Sequence, residues 1–423
     1  MTDKFKKAFS LMTVFMLMLT GCAASEDTAA LEEEEEEIQT LTVADEEYYK
    51  QLQGQNITLN VYNWGEYIAM GEDEGTLNVN EEFYNLTGIK VNYSTYATNE
   101  ELYAKLKGGG ASYDIIIPSD YMISRMISED MLCELDFENI PNFSYIMDNF
   151  RAPEYDTENK YSVPYLWGTV GIIYDSTMID IPAEDIGWDI LWNEDYADQI
   201  LMFDNPRDAF AIAELRLGYS LNTCDEKQLK DAAELLKEQK SVVQAYVMDE
   251  IFDKMGAGDA LIAPYYAGDA LTIMEDNDAL NFVVPDSGTN LFVDAVCIPS
   301  CVKNKLAAEM YINFLCEPDI AYANTWYVGY STPNSRAYEK LDEDIINDGI
   351  SYPDDNYLSE NCETYSNLTE EANRTMQDLW TDMKSTDKTT PNKWIVPLFM
   401  ALCIAASIAI LIARHIKRKK DIF

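Results

Sequence analysis

Histidine is almost absent from this chain of 423 residues: the single one, His415, lies in a basic segment near the C-terminus. A Ser-His-Asp or Cys-His catalytic group needs an imidazole inside a folded domain. A zinc site that uses histidine has the same requirement. We therefore predict that the chain is not an enzyme of these classes. We also expect no metal and no cofactor.

Basic residues are also scarce. Lysine and arginine together number 30, against 75 aspartates and glutamates, which gives a pI near 4.1. A surface of this sign repels nucleic-acid phosphates and favours cationic partners or ligands. Carboxylates also keep surfaces soluble, so charge alone names no ligand. We expect no nucleic-acid partner.

The first 22 residues have the pattern of an export signal. Three lysines within the first seven residues precede an apolar run from Ala8 to Leu19. The segment Leu19-Thr20-Gly21-Cys22 resembles a bacterial lipobox, which implies that Cys22 is lipidated. Residues 23–55 contain six consecutive glutamates, Glu32 to Glu37, and are interpreted as an acidic tether.

A second membrane signal lies near the other end. Residues 394–413 carry no charge, and as a helix they are about 30 Å long, enough to cross a bilayer. Trp394 suits an interfacial position, and the basic residues of 414–423 suit a cytoplasmic tail. We predict a polar stalk at 386–393, one transmembrane helix, and an ectodomain on the extracellular or periplasmic face.

Between these ends, strand-like and helix-like segments alternate. Ile57–Asn63 and Ile89–Tyr96 show the period of a strand, and Asp225–Lys240 shows that of an amphipathic helix. Such alternation predicts an α/β fold with a mostly parallel sheet and helices on both faces. Ligands of such folds bind beyond the carboxyl ends of the strands.

Aromatic and acidic residues are interleaved just after the predicted strands. Trp64, Glu66 and Tyr67 follow the first strand, and Tyr266 and Asp269 follow a later one. This mixture suits an alkyl chain that carries ammonium groups, such as a polyamine. Methylenes gain about 0.8 kcal/mol each on burial, and ammonium groups gain from aromatic faces and carboxylates.

Five ordered segments resemble the spermidine/putrescine-binding proteins of ABC importers. They lie between Ile57 and Asp382 and are Tyr62–Tyr67, Thr87–Tyr96, Tyr113–Ser119, Tyr161–Gly168 and Gly329–Asn334. The resemblance implies a two-lobed periplasmic-binding-protein-like fold with a hinge and an interlobe cleft. It also implies delivery of the ligand to permease subunits in the lipid bilayer. We assign 56–163 and 267–312 to the first lobe, and 164–266 and 313–385 to the second.

The resemblance also implies ligand-binding residues. The expected set, as numbered in this chain, is Trp64, Glu66, Tyr67, Ser119, Tyr121, Asp208, Tyr266, Asp269, Phe292 and Asp294. Three positions depart from the family pattern. Gly65 stands where a hydroxyl or an acid is common, Asn205 where an acid is common, and Tyr266 where tryptophan is usual. These departures predict weaker binding or a shift towards a shorter or less charged amine.

Three other hypotheses stay open on the sequence alone. The chain is a binding protein for another solute, such as ferric iron held by tyrosines. Alternatively, it is a surface glycoside hydrolase that uses paired carboxylates such as Glu66 and Asp208. The two predicted anchors also suit an adhesive or scaffolding surface protein.

Overall fold

The computed structural model describes residues 41–71, 76–110 and 112–385. The predicted signal peptide with Cys22, residues 23–40 of the predicted tether, and the stalk, membrane span and basic tail lie outside these residues. Within the described ranges, no helix is both long enough and apolar enough to cross a membrane.

Strands and helices alternate along the described chain, as predicted. The strands are β1 (Thr58–Trp64), β2 (Lys90–Tyr96), β3 (Ile115–Ile116), β4 (Ser162–Asp175), β5 (Ile200–Phe203), β6 (Val243–Val247), β7 (Ile262–Tyr266), β8 (Leu280–Val283), β9 (Thr289–Cys297) and β10 (Cys362–Glu363). The helices are α1 (Glu46–Lys50), α2 (Val79–Thr87), α3 (Asn99–Lys107), α4 (Asp120–Ser128), α5 (Pro206–Leu217), α6 (Glu226–Gln239), α7 (Glu250–Gly256), α8 (Ala267–Asp276), α9 (Lys305–Leu315), α10 (Pro318–Val328), α11 (Ser335–Tyr338), α12 (Glu343–Ile346), α13 (Asp355–Asn361) and α14 (Glu370–Ser385). Short 3₁₀ helices lie at Phe137–Asn139, Pro141–Tyr145, Asp148–Phe150, Glu154–Asp156, Ala183–Asp185, Trp188–Trp192 and Glu194–Tyr196.

The strands form one mixed sheet in the order β2-β1-β3-β9-β4-β7-β5-β6, with β10 on β9 and β8 on β4. The pairs β1–β2, β1–β3, β5–β6 and β5–β7 are parallel. The central strands β4 and β9 instead run antiparallel to each other and to β7 and β3. The sheet is therefore parallel in its outer parts, as predicted, and antiparallel at its centre.

The 14-residue strand β4 connects the two outer parts of the sheet. Its residues 162–169 pair with β9, and its residues 170–175 pair with β7 and β8. On one side of β4 and β9 lies the N-terminal half of the sheet (β2, β1 and β3). On the other side lies the C-terminal half (β7, β5 and β6). The lobe boundaries given above stay a prediction.

Local sequence signals account for several helix ends. The side chain of Asn78 caps α2 by accepting from the N–H of Glu81 at 3.0 Å. Gly88 then ends α2 with φ of 73°, a conformation that glycine adopts without a Cβ penalty. The side chain of Thr98 caps α3 by accepting from the N–H of Glu101 at 3.2 Å.

Residues 41–55 pack against the folded domain, whereas the sequence analysis placed them in the tether. Tyr49 in α1 is completely buried, and its hydroxyl donates to Glu317 Oε1 at 2.7 Å. Asn313 Nδ2 donates to the same hydroxyl at 2.8 Å. The backbone N–H of Thr42 donates to Asp319 Oδ2 at 2.9 Å. These contacts tie the segment to α9 and α10.

Candidate ligand-binding cleft

A narrow cleft of about 60 Å³ lies where the two halves of the sheet meet. The residues at or just beyond the carboxyl ends of the parallel strands β1, β2, β3, β5, β6 and β7 all contribute to its lining, as do residues of β9. This is the position at which an open α/β sheet binds its ligand.

The structure brings nine of the ten expected site residues to this cleft. They are Trp64, Tyr67, Ser119, Tyr121, Asp208, Tyr266, Asp269, Phe292 and Asp294. The tenth, Glu66, is exposed at a backbone φ of 45° and is not part of the lining. No lysine, arginine or histidine lines the cleft within the described ranges.

Asp294 lies on β9 and is 4% exposed. The hydroxyl of Tyr67 donates to its Oδ2 at 2.6 Å, and its Oδ1 accepts no hydrogen bond from the described residues. Burial raises the pKa of Asp294 to about 6, although the nearby side chain of Ser119 and the bond from Tyr67 act in the opposite direction. A buried carboxylate oxygen without a donor is a site for a cationic group.

Asp208 lies in the first turn of α5 and is also buried. Tyr266 donates to its Oδ2 at 2.6 Å, and Tyr365 donates to its Oδ1 at 2.9 Å. Burial raises the pKa of Asp208, whereas these two hydrogen bonds and the neighbouring Arg207 lower it in part. The two phenols fix the carboxylate towards the cleft.

Asp269 lies near the start of α8. The hydroxyl of Tyr330 donates to its Oδ2 at 2.9 Å. Burial and the negative charges of Asp249, Glu66 and Asp294 together raise the pKa of Asp269 to about 8, although the hydrogen bond from Tyr330 acts in the opposite direction. The proximity of these carboxylates makes the cleft strongly attractive to positive charge.

Aromatic rings form one wall between these carboxylates. The ring centroids of Tyr266 and Phe292 are 5.4 Å apart, those of Phe292 and Tyr330 are 5.9 Å apart, and those of Tyr330 and Tyr67 are 5.0 Å apart. Glycine at position 268 permits this wall, because a Cβ there would lie 2.1 Å from Cδ2 of Tyr330. Apolar faces of this kind bury methylene groups.

The N-terminal half contributes Ser119 and Tyr121 from the start of α4. Asn99 Nδ2 donates to Ser119 Oγ at 3.1 Å, and the hydroxyl of Tyr121 donates to Glu100 Oε1 at 3.1 Å. Trp64 is half-buried, and its indole N–H has no acceptor among the described residues. This half therefore supplies polar contacts and the aromatic rings of Trp64, Tyr67 and Tyr121.

The departures from the family pattern have distinct structural settings. Asn205 lines the cleft and also caps α5, because its Oδ1 accepts from the N–H of Arg207 at 3.0 Å. At Gly65, a Cβ would lie 2.5 Å from Oδ2 of Asp249. Asp249 follows β6 and lines the cleft beside Gly65.

The residues that line the cleft without having been assigned to the site by the sequence analysis include Asp249, Tyr330 and Tyr365. Asp249 follows a strand, β6, that was not predicted, so the rule for strand ends was not applied there. Tyr330 lies within a segment quoted for the family resemblance. Tyr365 has no local signal, since it reaches Asp208 from 157 residues away.

A wider cavity of about 1060 Å³ lies on the opposite face of β9. Leu291 and Val293 face this cavity, whereas Asn290, Phe292 and Asp294 face the cleft. Successive side chains of a strand point to opposite faces, so residues 290–294 of β9 lie between the cleft and the wider cavity, whereas Tyr365 lines both. None of the ten expected site residues lines the wider cavity.

Comparison with known proteins identifies the family. The family model described as bacterial extracellular solute-binding protein matches residues 111–361, more than half of the chain. This chain is a bacterial extracellular solute-binding protein. The resemblance inferred from its sequence is thereby confirmed, and it is a transport protein rather than an enzyme.

Individual relatives agree with this assignment. The solute-binding protein is 36% identical over 305 residues to the spermidine/putrescine-binding periplasmic protein of Salmonella typhimurium, a match covering 72% of this chain and 85% of that protein. It is 38% identical to a solved Listeria monocytogenes protein assigned to a spermidine/putrescine ABC transporter, with a TM-score of 0.73, covering 78% of this chain and 99% of that one.

A third relative is the spermidine/putrescine ABC transporter substrate-binding protein PotD of Streptococcus pneumoniae. It is 38% identical to the solute-binding protein, with a TM-score of 0.65, and the match covers 78% of this chain and 99% of that one. The predicted α/β, periplasmic-binding-protein-like fold is confirmed by these structures.

Proposed function

We propose that this solute-binding protein captures a polyamine in the cleft and delivers it to the permease subunits of an ABC importer. One observation carries the proposal: Asp208, Asp249, Asp269 and Asp294 line a cleft that aromatic rings also line and that no basic side chain enters within the described ranges. The names of the relatives, which include spermidine and putrescine, support the same ligand class.

The electrostatics of the cleft favour this ligand. Burying a carboxylate without a counter-charge is unfavourable, and here burial raises the pKa of Asp294 to about 6 and of Asp269 to about 8. Ammonium groups supply the missing positive charge and donate charge-assisted hydrogen bonds. The methylenes between them pack on Phe292 and Tyr330.

Ferric iron suits the cleft less well. The hydroxyls of Tyr67, Tyr266 and Tyr330 donate to aspartates. Burial and these nearby charges raise the pKa of all three tyrosines well above the usual value, which disfavours phenolate ligands. Among the described residues, no three histidine, cysteine, aspartate or glutamate side chains are grouped to hold a metal ion.

Calorimetric titration of the full-length protein with putrescine and with spermidine tests the proposal. We expect saturable heat with at least one of them, and a loss of about tenfold or more in affinity for Asp294→Asn. Asp378→Asn, which removes an exposed carboxylate on α14, is the matched control and should leave affinity unchanged. If neither amine produces heat or a thermal shift, the proposed ligand class is wrong.

Ligand capture is proposed to close two lobes that hinge at β4 and β9. Support comes from the strand pairing, since these two strands lie between the N-terminal and C-terminal halves of the sheet. Small-angle scattering should show a smaller radius of gyration when a saturating polyamine is added. An unchanged radius with proven binding would contradict the hinge.

Attachment to the membrane through lipid on Cys22 and a helix at 394–413 is also proposed, on the sequence signals alone. Labelling cells with a clickable fatty acid should mark the wild-type protein but not Cys22→Ala. A protein that carries Cys22→Ala and also lacks residues 394–413 should leave the membrane fraction. Unlabelled wild-type protein would contradict lipidation, and release by either change alone would contradict two anchors.

A further inference from the structure

Gly65 and Asp249 lie against each other in the cleft, although they come from opposite halves of the sheet. Gly65 follows β1 in the N-terminal half, and Asp249 follows β6 in the C-terminal half. A Cβ on residue 65 would lie 2.5 Å from Oδ2 and 3.3 Å from Cγ of Asp249. Separations under about 3 Å do not occur between such atoms, so the Asp249 carboxylate fills the space that a side chain at position 65 would need.

The carboxylate of Asp249 has no structural task in its own helix. Asp249 precedes α7 at the N-cap position, yet its side chain makes no capping hydrogen bond. An aspartate at this position normally caps through its side chain. Here the carboxylate points to Gly65 and lines the cleft instead.

The residue expected to supply a carboxylate at this end of the cleft is Glu66. In the structure Glu66 is exposed and outside the lining, whereas Asp249 lies within it. Asp249 is close enough to Asp269 for its charge to act on that carboxylate. Deeper in the same cleft, the buried Oδ1 of Asp294 has no donor among the described residues, which independently indicates a place for a cationic group.

We propose that Asp249, whose carboxylate occupies the space left open by Gly65, is a further ligand-binding residue that contacts an ammonium group at the mouth of the cleft. The inference rests on the proposed polyamine function. The carboxylate of Asp249 takes the place of the hydroxyl or acid that related proteins often carry at position 65. It is supplied from the opposite half of the sheet. The absence of a side chain at Gly65 then does not reduce the number of groups that face the ligand.

The test is calorimetric titration of full-length variants with whichever of putrescine and spermidine the wild type binds more tightly. Asp249→Ala should lower affinity roughly two- to fivefold, the range for an exposed charge pair. Asp253→Ala removes an exposed carboxylate from the same helix and should leave affinity unchanged. Wild-type binding with an unaltered Asp249→Ala affinity would overturn this inference while leaving the proposed function intact.

A double-mutant cycle tests the juxtaposition itself. Gly65→Ala should lower affinity by a similar factor in the wild type, because its Cβ displaces Asp249. In the Asp249→Ala background the same change should have little further effect, since the clash is gone. Additive losses would contradict the proposal. Thermal unfolding of each variant separates these effects from loss of the fold. If the wild type binds no polyamine, the result rejects the proposed function instead.

Discussion

The hydroxyl of Tyr67 and the carboxylate of Asp294 meet at an O–O distance of 2.6 Å, although 227 residues separate them in the chain. Tyr67 follows β1 and Asp294 lies on β9, so the bond connects the N-terminal half of the sheet to a central strand. It occupies one carboxylate oxygen and leaves the other, Oδ1, without a donor among the described residues. The bond therefore orients Asp294 and leaves it able to bind a ligand.

Tyr67→Phe should weaken polyamine binding roughly five- to tenfold at pH 7. The change removes a hydrogen bond that stabilises the ionised form of Asp294, so the pKa of Asp294 should rise above its value of about 6. Calorimetric titration at several pH values should show the affinity falling and its pH midpoint moving upward.

Tyr219→Phe is the matched control for this prediction. It removes a phenol–aspartate hydrogen bond of 3.0 Å to Asp231 on α6, away from the cleft. Its affinity and pH midpoint should equal those of the wild type. If Tyr67→Phe behaved in the same way, the bond to Asp294 would have no part in binding.

Much of the site was predictable because ligands of an α/β sheet bind beyond the carboxyl ends of its strands. Trp64, Ser119 and Tyr266 each lie at or directly after a strand with a recognisable apolar pattern. Asp249 was missed because β6 has the sequence Val-Gln-Ala-Tyr-Val, and three of its five residues are only partly buried. Its pattern is too weak to mark a strand.

Other features depend on tertiary structure. β4 was not predicted as a strand because 13 of its 14 residues are buried, so it shows no alternation of polar and apolar residues. The direction of Glu66 depends on a backbone φ of 45°, which its sequence does not signal. Asp249 reaches Gly65 only because the two halves of the sheet face each other.

Polyamine affinity should rise as pH increases from 5 to 8.5. Ammonium groups bind the ionised carboxylates, whereas the free protein holds protons on Asp294 up to about pH 6 and on Asp269 up to about pH 8. Binding must therefore release protons across this window. Titration in buffers of different ionisation enthalpy measures that release. Asp269→Asn should remove the upper part of the rise, and a flat profile for the wild type would contradict the assignment.

The ligand-free protein should lose stability as pH rises from about 4.5 to 8. Glu214 in α5 is completely buried, and burial raises its pKa from 4.5 to about 8. The folded state thus holds a proton that the unfolded state has released, so the contribution of Glu214 to stability is fully present below pH 4.5 and falls through this window. The loss over this window should be roughly 4 kcal/mol, since each pKa unit corresponds to about 1.4 kcal/mol.

Urea unfolding at pH 5 and pH 8 measures this loss for Glu214→Gln and the wild type. The variant should show a smaller decrease, because its neutral amide does not ionise. Glu371→Gln, which changes an exposed glutamate on α14, should follow the wild type. If Glu214→Gln also followed the wild type, the buried carboxyl would not be the group that titrates.

Gly268→Ala should disrupt the aromatic wall of the cleft. The added Cβ would lie 2.1 Å from Cδ2 of Tyr330, whose hydroxyl donates to Asp269. Tyr330 must move, so we expect a destabilisation of about 1–3 kcal/mol together with a loss of polyamine affinity. Gly256→Ala is the control, since nothing lies within 4 Å of its added Cβ at the end of α7. That variant should bind normally and be as stable as the wild type or slightly more so. Normal affinity in Gly268→Ala would mean that the position of Tyr330 does not determine how the cleft holds its ligand.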